Sequence, residues 1–497
     1  MDSFAHLAQG FAVAAKPINL LVALLGSFLG TVIGLLPGLG PINGVAILLP
    51  IAFAMKLPPE TALILLAAVY IGCEYGGRVS SILLNIPGDA GALMTALDGF
   101  PMAQKGMAGV ALSISAWSSF VGSLIATLGL ALFAPILARW ALSFGPAEYF
   151  VLMVFAICCL AGMVGDRPVK TVLAALVGLL LSTVGIDSGS GVYRFTFDDV
   201  HLSDGIQFIV VVIGLFSVSE MLVMLEHSHA GQVAIKNTGR ALFNLKEMGE
   251  TWWGTVRSSV LGFVIGVLPG AGATIASAIT YMVEKNLTDK DGTFGTGDVR
   301  GVAAPEAANN AAAHGAFIPM LTLGVPGSGT TAVMIGALTL YNITPGPLLF
   351  EQQPDLVWGL IASMFIGNVM LLVMNIPMIG VFTRMLAVPS WLLVPAIAAV
   401  SFVGVYAVHA TTFDLVLMVA LGVVGWALRK LGFPMAPLIL GFVLGDMMEQ
   451  NLRRALSISD GHLSILFQSP VSIALWTLAA CVLLVPYLLR RRSRKQR

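Results

Sequence analysis

Gly30-Thr-Val-Ile-Gly-Leu-Leu-Pro-Gly-Leu-Gly40 decides how this chain is read, because it returns as Gly262-Phe-Val-Ile-Gly-Val-Leu-Pro-Gly-Ala-Gly272. Eight of the eleven positions are identical, with Thr31, Leu35 and Leu39 the exceptions. A second Pro-Gly pair follows in each half: Gly76, Leu84, Pro87 and Gly88 correspond to Gly315, Leu323, Pro326 and Gly327. Two breaks in the same order, twice, imply an internal duplication. The expected division is a first membrane repeat over 1–230, a second over 231–489 and a basic tail at 490–497.

Composition says where these strings sit. The 497 residues are 57% hydrophobic and only 10% charged, with a mean hydropathy of +0.91. A soluble domain carries roughly 25% charged residues, so lipid is the solvent this chain suits. Long apolar runs at Ile206–Leu225, Val357–Phe382, Thr412–Leu428 and Val471–Leu489 exceed strand length and lack period-two alternation. They read as membrane helices rather than barrel strands. The fold expected is an all-α polytopic membrane protein of roughly 10–14 membrane segments. Its two repeats are expected to be inverted and to contain Pro-Gly-broken helices or re-entrant hairpins.

The 26 basic and 26 acidic residues cancel, and no basic surface calls for nucleic acid. Arg490, Arg491, Arg492, Arg494, Lys495 and Arg497 crowd the C-terminus, which places that tail in the cytoplasm. Lys236, Arg240, Lys246 and Arg257 put the Glu226–Arg257 loop on the same side. The acidic loop Asp187–Asp204 suits the opposite face. Cys73, Cys158, Cys159 and Cys481 show neither CxxC nor metal spacing, so no disulfide framework or metal site is expected. The N-terminal apolar run has no cleavage signature and reads as retained protein.

The breaks carry the functional argument. Proline removes an N–H and glycine frees the backbone, so a Pro-Gly pair inside a membrane helix leaves amides and carbonyls without partners. Lipid cannot satisfy them; they must lie inside protein or line a wet cavity. Helix N-termini made there attract a carboxylate, and unwound carbonyls attract a cation. Interrupted segments at matching places in two halves point to the binding site of a secondary transporter.

At these strings the chain resembles the large-subunit family of tripartite tricarboxylate transporters (TctA). The resemblance runs through Gly34-Leu-Leu-Pro-Gly-Leu-Gly-Pro41, Tyr75-Gly-Gly, Ile82-Leu-Leu-Asn-Ile-Pro-Gly-Asp89, Gly145-Pro-Ala-Glu-Tyr149 and Arg194-Phe-Thr-Phe197. It is strongest at Gly301-Val-Ala-Ala-Pro-Glu-Ala-Ala-Asn-Asn310 and Thr322-Leu-Gly-Val-Pro-Gly-Ser-Gly-Thr-Thr331. It implies a bacterial inner-membrane carrier of tri- or dicarboxylates. It also implies a small membrane subunit, a periplasmic solute-binding protein and an ion gradient, of Na⁺ or H⁺, as the driving force.

Three ionisable residues depart from the family pattern. Arg78 stands where the family generally has a small hydroxyl residue, and Glu74 and His314 where neutral residues are expected. Glu74 and Arg78 are four apart, in the favourable order for a pair on one helix. Either they neutralise each other, or Arg78 or His314 tunes which anion is accepted.

The expected substrate site comprises Asn43, Arg78, Asn85, Pro87, Gly88, His314, Pro326, Gly327, Ser328, Gly329, Thr330 and Thr331, with Asn85 opposite the Ser328–Thr331 hydroxyls. The expected helix-break and ion positions are Pro37, Gly38, Gly40, Pro269, Gly270, Gly272, Glu306, Asn309 and Asn310. Asp89 and Asp98 read as caps near the second break. Asp446, Glu449, Arg453 and Arg454 read as an interfacial charge cluster.

Other signals fall short. Glu226-His-Ser-His229 lacks further metal ligands. Gly292-Thr-Phe-Gly-Thr-Gly297 lacks the P-loop lysine and its preceding strand, so an ATP-driven pump has no support. Pro326-Gly-Ser-Gly329, with His314 as base, suggests an intramembrane serine hydrolase, but the matching Pro87-Gly-Asp-Ala90 has no nucleophile. A carrier, not an enzyme, is the leading expectation; a channel with the same breaks is the alternative.

Overall fold

The computed structural model describes residues 2–36, 38–163, 168–187, 189–226, 240–270, 272–385 and 390–495. Pro37, the His227–His229 pair, Lys236 and Arg497 lie outside the described residues. Among those described, the sheet is confined to two antiparallel two-residue strands, Gly185–Ile186 and Tyr193–Arg194. Everything else is helix and connection, the all-α architecture the long apolar runs require.

Among the described residues, seven helices are long and apolar enough to cross a membrane: Pro17–Leu35, Pro59–Leu84, Ala108–Ala141, Phe208–Glu226, Pro354–Asn375, Trp391–Val408 and Thr412–Lys430. Shorter apolar helices accompany them, among them Gly40–Ala54 and Gly329–Leu340, which start at the breaks. The Val357–Phe382 run is not one helix. It ends at Asn375 and resumes at Ile379–Met385, because Pro377 disfavours helical backbone at the residue before it and clashes with the preceding turn.

Both halves show the same backbone features in the same order. Pro17–Leu35 and Leu245–Val267 end at extended leucines, Leu36 and Leu268, whose amides reach back to Ile33 and Ile265 at 3.1 Å. Left-handed glycines follow, Gly38 and Gly40 in one half (φ 87° and 58°), Gly270 and Gly272 in the other (φ 80° and 62°). The helices leading to the second breaks end in left-handed caps, Asn85 at φ 57° and Gly324 at φ 68°. Asparagine and glycine are the residues that tolerate this conformation.

Packing follows the same register. A Cβ on Gly30 or Gly34 would collide with the backbone of Val69 or Cys73, and one on Gly262 or Gly266 with that of Ala308 or Ala312. Small residues let these helix pairs approach backbone to backbone, the usual basis of association in lipid. Pro59–Leu84 is consequently buried along its apolar span, and Val299–Gly315 is buried from Gly301 onward. Each also packs on a helix from the other half: Val299–Gly315 on Ala108–Ala141, and Pro59–Leu84 on Pro354–Asn375. Such burial on all sides forces their polar side chains to find partners inside the protein.

Outside the bundle, Arg194 bonds Glu449 at 2.8 Å, and Arg453 bonds both Glu449 at 2.6 Å and Asp187 at 2.7 Å. The backbone N–H of Gly189 and the Arg453 guanidinium hold the Asp187 carboxyl below its ordinary range. The acidic loop is thereby tied to the Met435–Ile458 helix.

Candidate functional site

The breaks of each half are in contact. Gly270 N–H donates to Gly327 C=O at 3.0 Å, joining the two breaks of the second half. In the first, Gly88 N–H donates to Gly77 C=O at 3.3 Å, and a Cβ on Gly40 would touch Asp89 Cβ and Gly88 O. Pro269, Gly270, Pro326 and Gly327 are buried, Gly88 is buried beside a half-buried Pro87, and Gly38 is exposed.

The second break launches the Gly329–Leu340 helix through a reciprocal cap. Ser328 Oγ accepts from Thr331 N–H at 3.2 Å, and Thr331 Oγ1 accepts from Ser328 N–H at 2.8 Å. Ser328 Oγ is also 3.3 Å from the Tyr70 hydroxyl of the first half, and Thr330 is a second hydroxyl within reach of Tyr70. Gly329 lies against Ile42 and Ala436, where a Cβ would crowd both.

The second break of the first half meets the second half in the same way. Tyr70 and Asn309 occupy matching positions, as do Ser328 and Asp89. Asn309 lies beside the Asp89–Gly91 turn so closely that a Gly91 Cβ would overlap its Oδ1. Its Nδ2 donates to Glu74 Oε2 at 2.9 Å. Asp89 Oδ1 accepts the Ala92 amide at 2.9 Å, as a cap does.

One or two turns further along, a second polar cluster joins the halves. Ser119 Oγ accepts from Arg78 at 3.2 Å and Asn310 at 2.8 Å, and donates to Glu306 Oε2 at 3.1 Å. Thr95 donates to Glu306 Oε1 at 2.6 Å. Arg78 also reaches Asn375 Oδ1 at 3.3 Å and stacks over the Tyr75 ring. Tyr75 donates to Asn368 at 2.9 Å. Glu306, Asn309, Asn310 and His314 are all 0% exposed. His314 Nδ1 donates to Asn310 C=O at 2.8 Å.

Glu74 and Arg78 therefore do not form the pair their spacing invited: no ion pair joins them among the described residues. Asn85 caps its helix at an exposed position, and Asn43 is buried with its amide on Leu39 C=O. His314 and Ser328 share no hydrogen bond among the described residues, so the hydrolase geometry is lacking. Tyr70, Ser119, Thr95, Asn368 and Asn375 join these polar contacts, and the spacing of motifs did not reveal them.

The glycine-rich 292–297 segment has its own explanation. Asp98, 0% exposed, accepts the amides of Gly295, Gly297 and Asp298, each at 2.8 Å, and the Tyr281 hydroxyl at 2.8 Å. It is an anion nest occupied by the chain's own carboxylate, and Asp98 is its ligand rather than a cap for its own helix.

A cavity of about 450 Å³ lies under the acidic hairpin, lined among others by Arg194, Ser203, Asp204, Phe208, Thr339 and Asp446. It borders the Gly329–Leu340 helix that starts at the second break.

Apolar helices around buried, interrupted, polar-lined segments define a multi-pass membrane transport protein. The chain belongs to the tripartite tricarboxylate transporter TctA family, whose model matches residues 20–440. It is 40% identical over 497 residues to an Agrobacterium vitis protein described as the uncharacterized 52.8 kDa protein in the TAR-I ttuC' 3'region, covering 100% of this chain and 99% of that one. It is also 45% identical over 224 residues to an uncharacterized protein in the TAR-II ttuC' 3'region of the same organism, covering 45% of this chain and 93% of that one. No solved structure matches the chain.

Proposed function

We propose that this chain is the large membrane subunit of a bacterial inner-membrane transporter that imports tri- or dicarboxylates delivered by a periplasmic solute-binding protein. A small membrane subunit completes the complex, and a Na⁺ or H⁺ gradient drives uptake. The halves act as inverted repeats, with the C-terminal tail in the cytoplasm. Tyr70, Ser328 and Thr330 contact the carboxylate, helped by the N-terminal end of the Gly329–Leu340 helix. The cavity bounded by Arg194 and Thr339 is the substrate's approach from the acidic-loop side; its volume falls in the range of small-molecule sites.

The observation that carries this reading is reciprocal contact: Tyr70 of the first half meets Ser328, and Asn309 of the second meets the Asp89–Gly91 turn. Matching residues crossing between halves fit a two-fold relation about a shared site, as paired repeats supply. The test is reconstitution of this chain with its small subunit and binding protein in proteoliposomes. Gradient-dependent accumulation of citrate or a dicarboxylate that stops without the binding protein is expected. Equilibration without binding protein or gradient would instead make it a channel.

A further inference from the structure

Arg194-Phe-Thr-Phe197 takes no part in the breaks, and only half of it serves the fold. Arg194 is bound to Glu449 and Thr196 is buried. Phe195 and Phe197 are exposed, together with Val192, Tyr193 and Val200; Phe197 is 86% exposed and Val200 82%. These side chains do not face lipid, because irregular backbone does not lie bare in hydrocarbon and the exposed Asp198 and Asp204 share the segment. The backbone is also unfavourable: φ is 52° at Phe195, 50° at Phe197 and 60° at Asp198. A residue with a Cβ loses about 1–2 kcal/mol in that region, and bulky ones are seldom found there. Fold stability alone favours glycine or asparagine at both phenylalanines. Aromatic groups kept in water and in a disfavoured conformation point to a contact with something else.

The hairpin is a rigid support for that contact. Asp187 and Arg194 tie it to Met435–Ile458 through Arg453 and Glu449, and the His201 ring stacks on Phe413 at 5.0 Å. Its inner side lines the cavity of about 450 Å³. Phe208–Glu226, long and apolar enough to span, leads from the hairpin to the segment carrying Arg240, Lys246 and Arg257. Basic segments stay in the cytoplasm, so the hairpin belongs on the outer face.

We propose that Tyr193, Phe195, Phe197 and Val200 are the surface on which the periplasmic solute-binding protein docks, through an apolar pocket rimmed by lysine or arginine. The partner's identity rests on the transport reading; the surface and its chemistry rest on the hairpin. Charge selects this occupant. Arg194 and His201 are answered by Glu449 and Asp199, whereas Asp198 and Asp204 have no ion pair among the described residues. A second copy would set the same carboxylates against each other, and an anionic bilayer surface would repel them. A basic rim is attracted, and a partner seated here lies over the cavity that receives its cargo.

The test is titration of the loaded solute-binding protein onto the full chain and its small subunit in nanodiscs, with uptake measured in parallel. Phe195→Asn and Phe197→Asn suit the left-handed backbone, so each should melt no lower than wild type. Each should nevertheless weaken binding by about 10-fold or more, as loss of a central aromatic contact does. Added salt should weaken wild-type binding, and Asp198→Lys should flatten that dependence. A photoreactive phenylalanine analogue at position 197 should crosslink to the binding protein. Folded variants that bind normally, or a crosslink to lipid or to a second copy, would overturn the surface. If wild-type uptake needs no binding protein, the transport reading fails and takes this surface with it. If uptake needs it and the variants bind normally, only the surface fails.

Discussion

Arg78 and Glu306, on helices from different halves, meet through a single hydroxyl: Ser119 accepts from the guanidinium at 3.2 Å and donates to the carboxylate at 3.1 Å. Two fully buried groups of opposite charge thus compensate each other without touching. The arrangement ties Pro59–Leu84 to Val299–Gly315 across Ala108–Ala141, the helices that also carry Tyr70, Glu74 and Asn309.

Removing the relay should be costly. Ser119→Ala is expected to destabilise the protein by about 1–3 kcal/mol, the usual cost of leaving buried partners unsatisfied, read as a lower melting temperature. Arg78→Ser should cost about 3–5 kcal/mol by stranding Glu306, and adding Glu306→Gln should recover part of it. Uptake of several carboxylates by folded Arg78→Ser tests anion selection directly; an unchanged preference assigns Arg78 to structure.

At the first break of the second half, Gly270 combines φ 80° with a 3.0 Å bond to Gly327. An alanine there adopts the left-handed region at a cost of about 1–2 kcal/mol, and its Cβ meets Leu160. Gly270→Ala should lower the melting temperature, whereas alanine at exposed, open Gly249 should not.

Asp98→Asn keeps the shape but loses the charge that three amides and Tyr281 address. Charge-assisted bonds of this kind contribute about 1.5–3 kcal/mol each. Limited proteolysis within 292–297 should become faster in the variant; unchanged cleavage would separate the segment's order from Asp98.

The Asp187 carboxyl is held down by the Gly189 amide and Arg453. A depressed pKa contributes stability that is present above the unfolded value, about 3.9, and lost as pH falls through the lower folded value. Protection of the 185–204 hairpin from hydrogen exchange should therefore persist to about pH 4 and fade only in stronger acid. Asp187→Asn should remove that pH dependence.

The sequence by itself determined the solvent, the helical class, the family and the location of the breaks. Each follows from local chemistry: uniform apolarity over helix-length runs, and proline and glycine acting on their own backbone. Asn309, Asn310 and Glu306 were also legible, since amides and a carboxylate in an apolar run stand out. Only the tertiary structure decided which polar groups meet. Ser119, Thr95 and Tyr70 look like ordinary helix residues, because what singles them out is a neighbour from another helix. Glu74 and Arg78 looked like a pair at i, i+4, yet each has a partner from another helix, Asn309 and Ser119. On a helix buried on every side, contacts across helices outcompete those along it, and no spacing in one chain segment records them.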